Sequence, residues 1–161
     1  MDEELMARQQ PQSLEAEQAV LGSILIDSRC ITDIIGILKP EDFYQEQNRE
    51  IYETIYAMFN FSQVIDPVTV LDKMQERGVW QDRSIEYIKQ LMEITPTSAN
   101  AVRYASIVRD KALLRGVAIA ASEITAMVQE GIGTAADTLD AAEQKIFAVR
   151  RGQSAQDMVP I

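Results

Sequence analysis

Apolar residues recur along this chain at spacings of three and four, and nowhere does a period of two last long enough to demand a strand. After a polar leader ending in Pro11 and Gln12, Ser13 is placed to cap a helix whose Leu14, Val20, Leu21, Ile24 and Leu25 form one face up to Asp27. A short helix over about Arg29–Leu38 follows and is stopped by Pro40, with Phe43 and Tyr44 in the next connection. Asn48 to Phe61 sets Ile51, Tyr52, Ile55, Tyr56, Met58 and Phe59 on a broad aromatic face, whose ordinary reading is core and whose alternative is a base-stacking platform. Asp66-Pro67 begins another helix, because the aspartate accepts from free amides while proline at the first helical position loses no bond; Gly78 ends it. Ser84 is expected to cap a helix over Ile85–Ile94, broken by Thr95-Pro96.

The stretch from Asn100 to Glu130 contains no proline and predicts a helix of roughly 45 Å. Gly131-Ile132-Gly133 interrupts it, and Thr134-Ala135-Ala136-Asp137 reads as a capping sequence for a second arm of ~25 Å along Ala135, Leu139, Ala142, Ile146 and Val149. The predicted fold is therefore all-α: a small orthogonal helical bundle over 13–98 and a long antiparallel helical hairpin over 99–150. Residues 1–12 are expected to be a flexible leader and 151–161 a linker. From Ala112 to Val128 the long helix is apolar around most of its circumference, more than one partner helix can cover. Its Leu114, Val117, Ala121, Ile124 and Val128 form a stripe suited to helix pairing, and Leu139 and Ile146 extend it on the second arm. The pattern predicts burial against a second chain about a two-fold axis; the alternative is that the bundle folds back over this surface.

Composition narrows the chemistry. A formal charge of −10 sets a potential that repels phosphate, so DNA would have to be held elsewhere. There is no histidine, which excludes imidazole catalysis and histidine-ligated metals, and no phosphate-binding G-x-x-x-x-G-K-[ST] loop. No catalytic, cofactor-binding or metal-binding residue is assigned. The acidic neighbours Glu15 with Glu17, Glu41 with Asp42 and Glu46 with Glu50 lack calcium-loop spacing and read as solvated faces. Arg103, Arg109, Lys111 and Arg115 read as the polar side of the long helix. The single Cys30 reads as a small buried hydrophobe. No run of ~18 consecutive apolar residues is present and the start is acidic, so a cytoplasmic protein without a membrane span is expected.

Several segments, taken in order, resemble the amino-terminal domain of the DnaB family of bacterial replicative helicases. They are Pro11-Gln12-Ser13-Leu14-Glu15-Ala16-Glu17-Gln18, Phe43-Tyr44 with Asn48-Arg49-Glu50-Ile51-Tyr52, Ile65-Asp66-Pro67-Val68-Thr69-Val70, and Thr95-Pro96-Thr97-Ser98-Ala99-Asn100 with Tyr104-Ala105-Ser106-Ile107-Val108-Arg109-Asp110-Lys111. Asn48 stands where histidine is common. The resemblance implies a non-catalytic module that pairs through its hairpin into dimers and, in the whole protein, a trimer-of-dimers ring. It also implies docking of primase, with a helicase loader as a further partner. Tyr87, Ala118 and Ile124 are the residues expected to serve primase, the alternative for Tyr87 being core packing with Ile88 and Leu91. ATP, magnesium and DNA would belong to a RecA-like motor domain to which Arg151–Ile161 would lead. A single-stranded DNA-binding helical module is the competing function.

Overall fold

The computed structural model describes residues 10–79 and 82–157, with side chains up to 150. Among the described residues it contains seven α-helices and no strand: α1 (Leu14–Ile26), α2 (Ile31–Ile34), α3 (Glu46–Asn60), α4 (Pro67–Glu76), α5 (Ser84–Glu93), α6 (Ala101–Glu130) and α7 (Ala135–Asp157). The fold class is the all-α one that the periodicity predicts. Short 3-10 turns at Ser28–Cys30 and Pro40–Asp42 flank α2. The helix expected over Arg29–Leu38 thus reduces to four α-helical residues, in a segment that also contains Gly36.

By its internal contacts the chain divides into two units, Gln12–Arg109 and a second that takes the chain from Asp110 onward. The division falls inside α6, eleven residues beyond the expected boundary at 98, because Ala101, Ala105 and Val108 belong to the first unit's core. That core gathers Val20, Leu21 and Ile24 of α1, Ile34 and Leu38, Phe43, Ile51, Tyr52 and Ile55 of α3, Val70 and Met74 of α4, and Ile88 and Leu91 of α5. Tyr52 is wholly buried, its hydroxyl donating to the Leu38 carbonyl at 2.9 Å and its ring 4.7 Å from that of Phe43. Helices α1 and α5 meet at Gly22, where a Cβ would lie 2.0 Å from Thr95 Oγ1 and 2.4 Å from the Leu91 carbonyl oxygen. No side chain larger than hydrogen fits there.

Capping explains several boundaries. Ser13 accepts from the Ala16 amide at 3.2 Å, and Asp66 accepts from Thr69 N at 2.8 Å while Thr69 Oγ1 accepts from Asp66 N at 2.9 Å. Ser84 does not cap: Arg83 is the N-cap residue, and Ser84 is buried as the first residue of α5. In the second unit the turn between α6 and α7 uses left-handed Gly131 (φ 65°) and Gly133 (φ 84°). Thr134 and Asp137 then bond reciprocally, each side chain accepting from the other's amide at 3.1 Å.

The second arm is longer than expected. Its 23 residues extend ~35 Å, so residues 151–157, read from sequence as linker, continue α7; residues 158–161 of that linker and 1–9 of the leader lie outside the described residues. Helix α6, at 30 residues, is by length and composition able to cross a membrane, with an 18-residue window of mean hydropathy 1.2. The expectation of no such segment counted unbroken apolar runs, which Arg115 and Glu123 interrupt. Both charges are engaged in the second unit: Glu123 pairs with Lys145 at 2.7 Å and Arg115 donates to the Pro11 carbonyl at 2.8 Å.

Candidate interaction surface

Within the second unit, α6 and α7 approach closely at Gly116, where a Cβ would come 3.3 Å from Val149 Cγ1. The Glu123–Lys145 pair adds a polar tie, and Ala120 is 4% exposed. The seam between the arms therefore runs along Gly116, Ala120 and Glu123 on α6 with Lys145 and Val149 on α7. Of the second-arm positions expected on that seam, Leu139 and Ile146 lie outside it, 61% and 44% exposed. Exposed with them are Leu114 (51%), Val117 (45%), Ile119 (54%), Val128 (63%) and Phe147 (58%). Ala118 and Ala121 are exposed and Ile124 is half-buried.

Ile124, Ala142, Ile146 and Phe147 line one groove, with Glu143 and Arg150 at its margin. Glu143 and Phe147 also border a second recess with Asp140, Gln144 and Ala148. Phe147 is the large residue that sequence reading passed over. It follows Ile146 directly, and a seam drawn through Ala142, Ile146 and Val149 leaves it off the expected face. What these side chains offer is an apolar surface on both arms, the kind of area that marks a macromolecular contact.

In the first unit the structure corrects the reading of the acidic pairs. Glu17 is 1% exposed. Its Oε2 accepts from Tyr44 N at 2.8 Å, and its Oε1 from Gln45 N at 3.3 Å and Asn48 Nδ2 at 3.1 Å. The N-cap residue of α3, Gln45, makes no side-chain cap bond, so a carboxylate from α1 receives amides at the start of that helix. The signal was present in the spacing, since Glu17 sits three and four residues before Val20 and Leu21 on the apolar face of α1. Asp42, likewise read as solvated, is 7% exposed. It accepts from Lys39 N at 2.8 Å and lies 3.7 Å from Arg109. Burial pushes its carboxyl above the ordinary value, against the opposing pull of the Lys39 amide and the Arg109 charge. Arg109 and Arg115 are thus engaged by their own units, and the basic run does not form one solvent-facing strip.

Tyr87, expected to serve a partner, is half-buried against the core, and its hydroxyl contacts Asn48 Oδ1 closely. Gln18 Nε2 donates to the same hydroxyl at 3.4 Å. Burial raises its pKa. Tyr87 belongs to the first unit, and Ala118 and Ile124 to the second. The rings of α3 are turned inward: Tyr52 is buried, and Tyr56 and Phe59 pack against the core. Only Phe61, at 76%, faces outward from that segment, so α3 presents no row of bases-sized platforms. Cys30 packs against the core, and burial, reinforced by Asp27, raises its thiol to about 11. No cluster of potential metal ligands occurs among the described residues.

Residues 9–110 match the model of the DnaB-like helicase N-terminal domain. The chain is 32% identical over 155 residues to the replicative DNA helicase DnaB of Leifsonia xyli, and 33% over 157 residues to that of Mycobacterium leprae. These alignments take in 96% of this chain but 34% and 26% of the relatives, so the chain spans about a third or less of their length. The crystal structure of the N-terminal domain of DnaB helicase from Mycobacterium tuberculosis superposes with a TM-score of 0.80 at 35% identity, covering 87% of this chain and 99% of that one.

Proposed function

This chain belongs to the family of DnaB-like helicase N-terminal domains, and from that premise we propose that it is the non-catalytic assembly module of a replicative DNA helicase. Its hairpin pairs with that of a second copy, and three such dimers form the collar of a hexameric ring. The observation that carries this reading is the exposure, on one hairpin, of Leu114, Val117 and Val128 together with Leu139, Ile146 and Phe147. Leaving that much apolar side chain in water is unfavourable, at about 25 cal/mol per Å², and a like surface on a second copy removes it. Ala121 and Ile124 complete the stripe. ATP and magnesium chemistry, and the hold on DNA, reside in a motor domain of the whole protein, which works in the cytoplasm; the formal charge of −10 suits a module that leaves phosphate to others.

Primase docks on the same module, with Tyr87, Ala118 and Ile124 as the residues assigned to it, and a helicase loader is a further partner. Sedimentation of the chain against an Ile124→Glu, Val128→Glu variant tests the pairing: the variant falls to a monomer, and an unchanged sedimentation profile refutes the reading. Titration of the primase helicase-binding domain against a Tyr87→Ala protein that keeps the parent's melting temperature tests the docking site; unaltered affinity removes Tyr87 from it.

A further inference from the structure

Three helices of the first unit meet at the end of one side chain. Tyr87 stands on α5, half-buried against the core, and its hydroxyl is reached by Gln18 of α1, by Gln45 at the N-cap of α3 and by Asn48 in the first turn of α3. The three contacts are unequal. Gln18 Nε2 and Gln45 Oε1 each lie at 3.4 Å, long for a hydrogen bond, and both glutamines are half-buried. Asn48 Oδ1 contacts the hydroxyl closely, and Asn48 is wholly buried. Its amide nitrogen donates to Glu17 Oε1 at 3.1 Å, so the side chain cannot turn away from Tyr87 without unpairing a buried group.

Packing alone does not call for this arrangement. A phenyl ring without the hydroxyl would fill the same place beside the core, and a buried asparagine is unfavourable unless its groups are bonded. What the hydroxyl adds is a fixed far end. The α5 backbone holds the ring at one end and Asn48 holds it at the other, 39 residues away in sequence. A side chain placed in advance loses little freedom when something docks against it, whereas a loose one must be ordered at the moment of contact.

We propose that Asn48 is a positioning residue for Tyr87, holding the ring by its hydroxyl in the placement that primase meets. Asn48 is wholly buried and acts through Tyr87 rather than by touching the partner. That role rests on the reading of Tyr87 as a docking residue, whereas the tether itself does not.

The test is a double-mutant cycle on the 161-residue chain. The primase helicase-binding domain is titrated against the parent, Asn48→Ala, Tyr87→Phe and the two combined, each checked first for its melting temperature. Either single substitution removes the same bond from one end, and each is expected to weaken binding about 3- to 10-fold, the cost of ordering one side chain on contact. The combination is expected to bind as the singles do, since one bond can be lost only once. Parental affinity in Asn48→Ala overturns the proposal. So does a combined loss equal to the product of the single losses, which marks an effect through the fold. Where Asn48→Ala does not fold, three-bond NMR couplings across χ1 at position 87 decide: one rotamer in the parent is expected to become an average in Tyr87→Phe, and an unchanged rotamer overturns the tether. Tyr87→Ala separates the two readings. If it binds like the parent, the docking reading falls and takes the proposal with it; if it loses binding while Asn48→Ala does not, docking stands and the positioning role alone falls.

Discussion

Replacing Glu17 should damage the protein far more than its place in an acidic, apparently soluble-facing stretch suggests. The carboxylate is 1% exposed and accepts at 2.8, 3.3 and 3.1 Å from Tyr44 N, Gln45 N and Asn48 Nδ2. Bonds to a charged acceptor contribute about 1.5–3 kcal/mol each, and a buried donor deprived of its partner costs about 1–3 kcal/mol. Glu17→Ala withdraws the acceptor from one buried donor, the Asn48 amide, and two part-buried ones, the Tyr44 and Gln45 backbone amides, so a loss of about 3–5 kcal/mol is expected, against a total stability of about 5–15 kcal/mol for a domain. Glu17→Gln keeps the shape but turns an NH2 group toward groups that are themselves donors. Its expected cost is about 2–4 kcal/mol. Glu15→Gln, on the exposed side of the same helix, is the control and should stay within about 0.5 kcal/mol of the parent. Urea unfolding followed by circular dichroism reads all three, with the slope checked for constancy so that midpoints compare directly. A Glu17→Gln midpoint indistinguishable from that of Glu15→Gln would refute the assignment of Glu17 as the buried cap of α3.

Four further outcomes follow from local geometry. Gly22→Ala should destabilise by about 2–3 kcal/mol in the same assay, and adding Thr95→Ala, which removes the hydroxyl 2.0 Å from the new Cβ, should not restore it, because the Leu91 carbonyl oxygen at 2.4 Å is backbone. Ser62→Gly should raise thermal stability by about 0.5 kcal/mol, the relief of a left-handed serine outweighing the added freedom of the unfolded chain; a lowered melting temperature would contradict this. Asp137 should titrate below the usual carboxylate range, held there by the Thr134 amide and hydroxyl. A depressed acid stabilises the folded form above its ordinary value and loses that contribution as pH falls through the folded one, so carboxyl NMR should show the low midpoint, and Thr134→Ala should raise it. Cys30, raised from 9.0 to about 11, should hold about 100-fold less thiolate at pH 8 than an unperturbed thiol and so react about 10-fold more slowly with a disulfide reagent, and at the ordinary rate once unfolded.

Where a local rule decides, the sequence was readable. Ser13, Asp66-Pro67, Gly131, Gly133 and the Thr134–Asp137 pair each act within four residues of chain, and each stands where spacing and residue type put it. The cap expected at Ser84 is the local exception, Arg83 taking that position; the larger misreadings involve partners distant in sequence. Glu17 looked solvated because its donors lie 27 to 31 residues away, and Arg109 looked like surface because Asp42 is on another element. The hairpin's interior was misjudged for a related reason. An apolar seam through Leu139 and Ile146 is the obvious choice, yet Gly116 lets α7 approach by way of Val149 and Lys145, and the larger residues are left outside. Small residues set such a packing without announcing it in a hydrophobic pattern.

The chain of bonds from Glu17 to Tyr87 also has a direction. An ionised carboxylate has no hydrogen to give, so the Asn48 amide must present its NH2 to Glu17 and its oxygen to Tyr87. The single phenolic hydrogen is thereby committed inward. With Gln18 Nε2 donating to the same oxygen at 3.4 Å, the hydroxyl is occupied on both sides by its own unit, and a molecule arriving from solvent finds at most one lone pair still open.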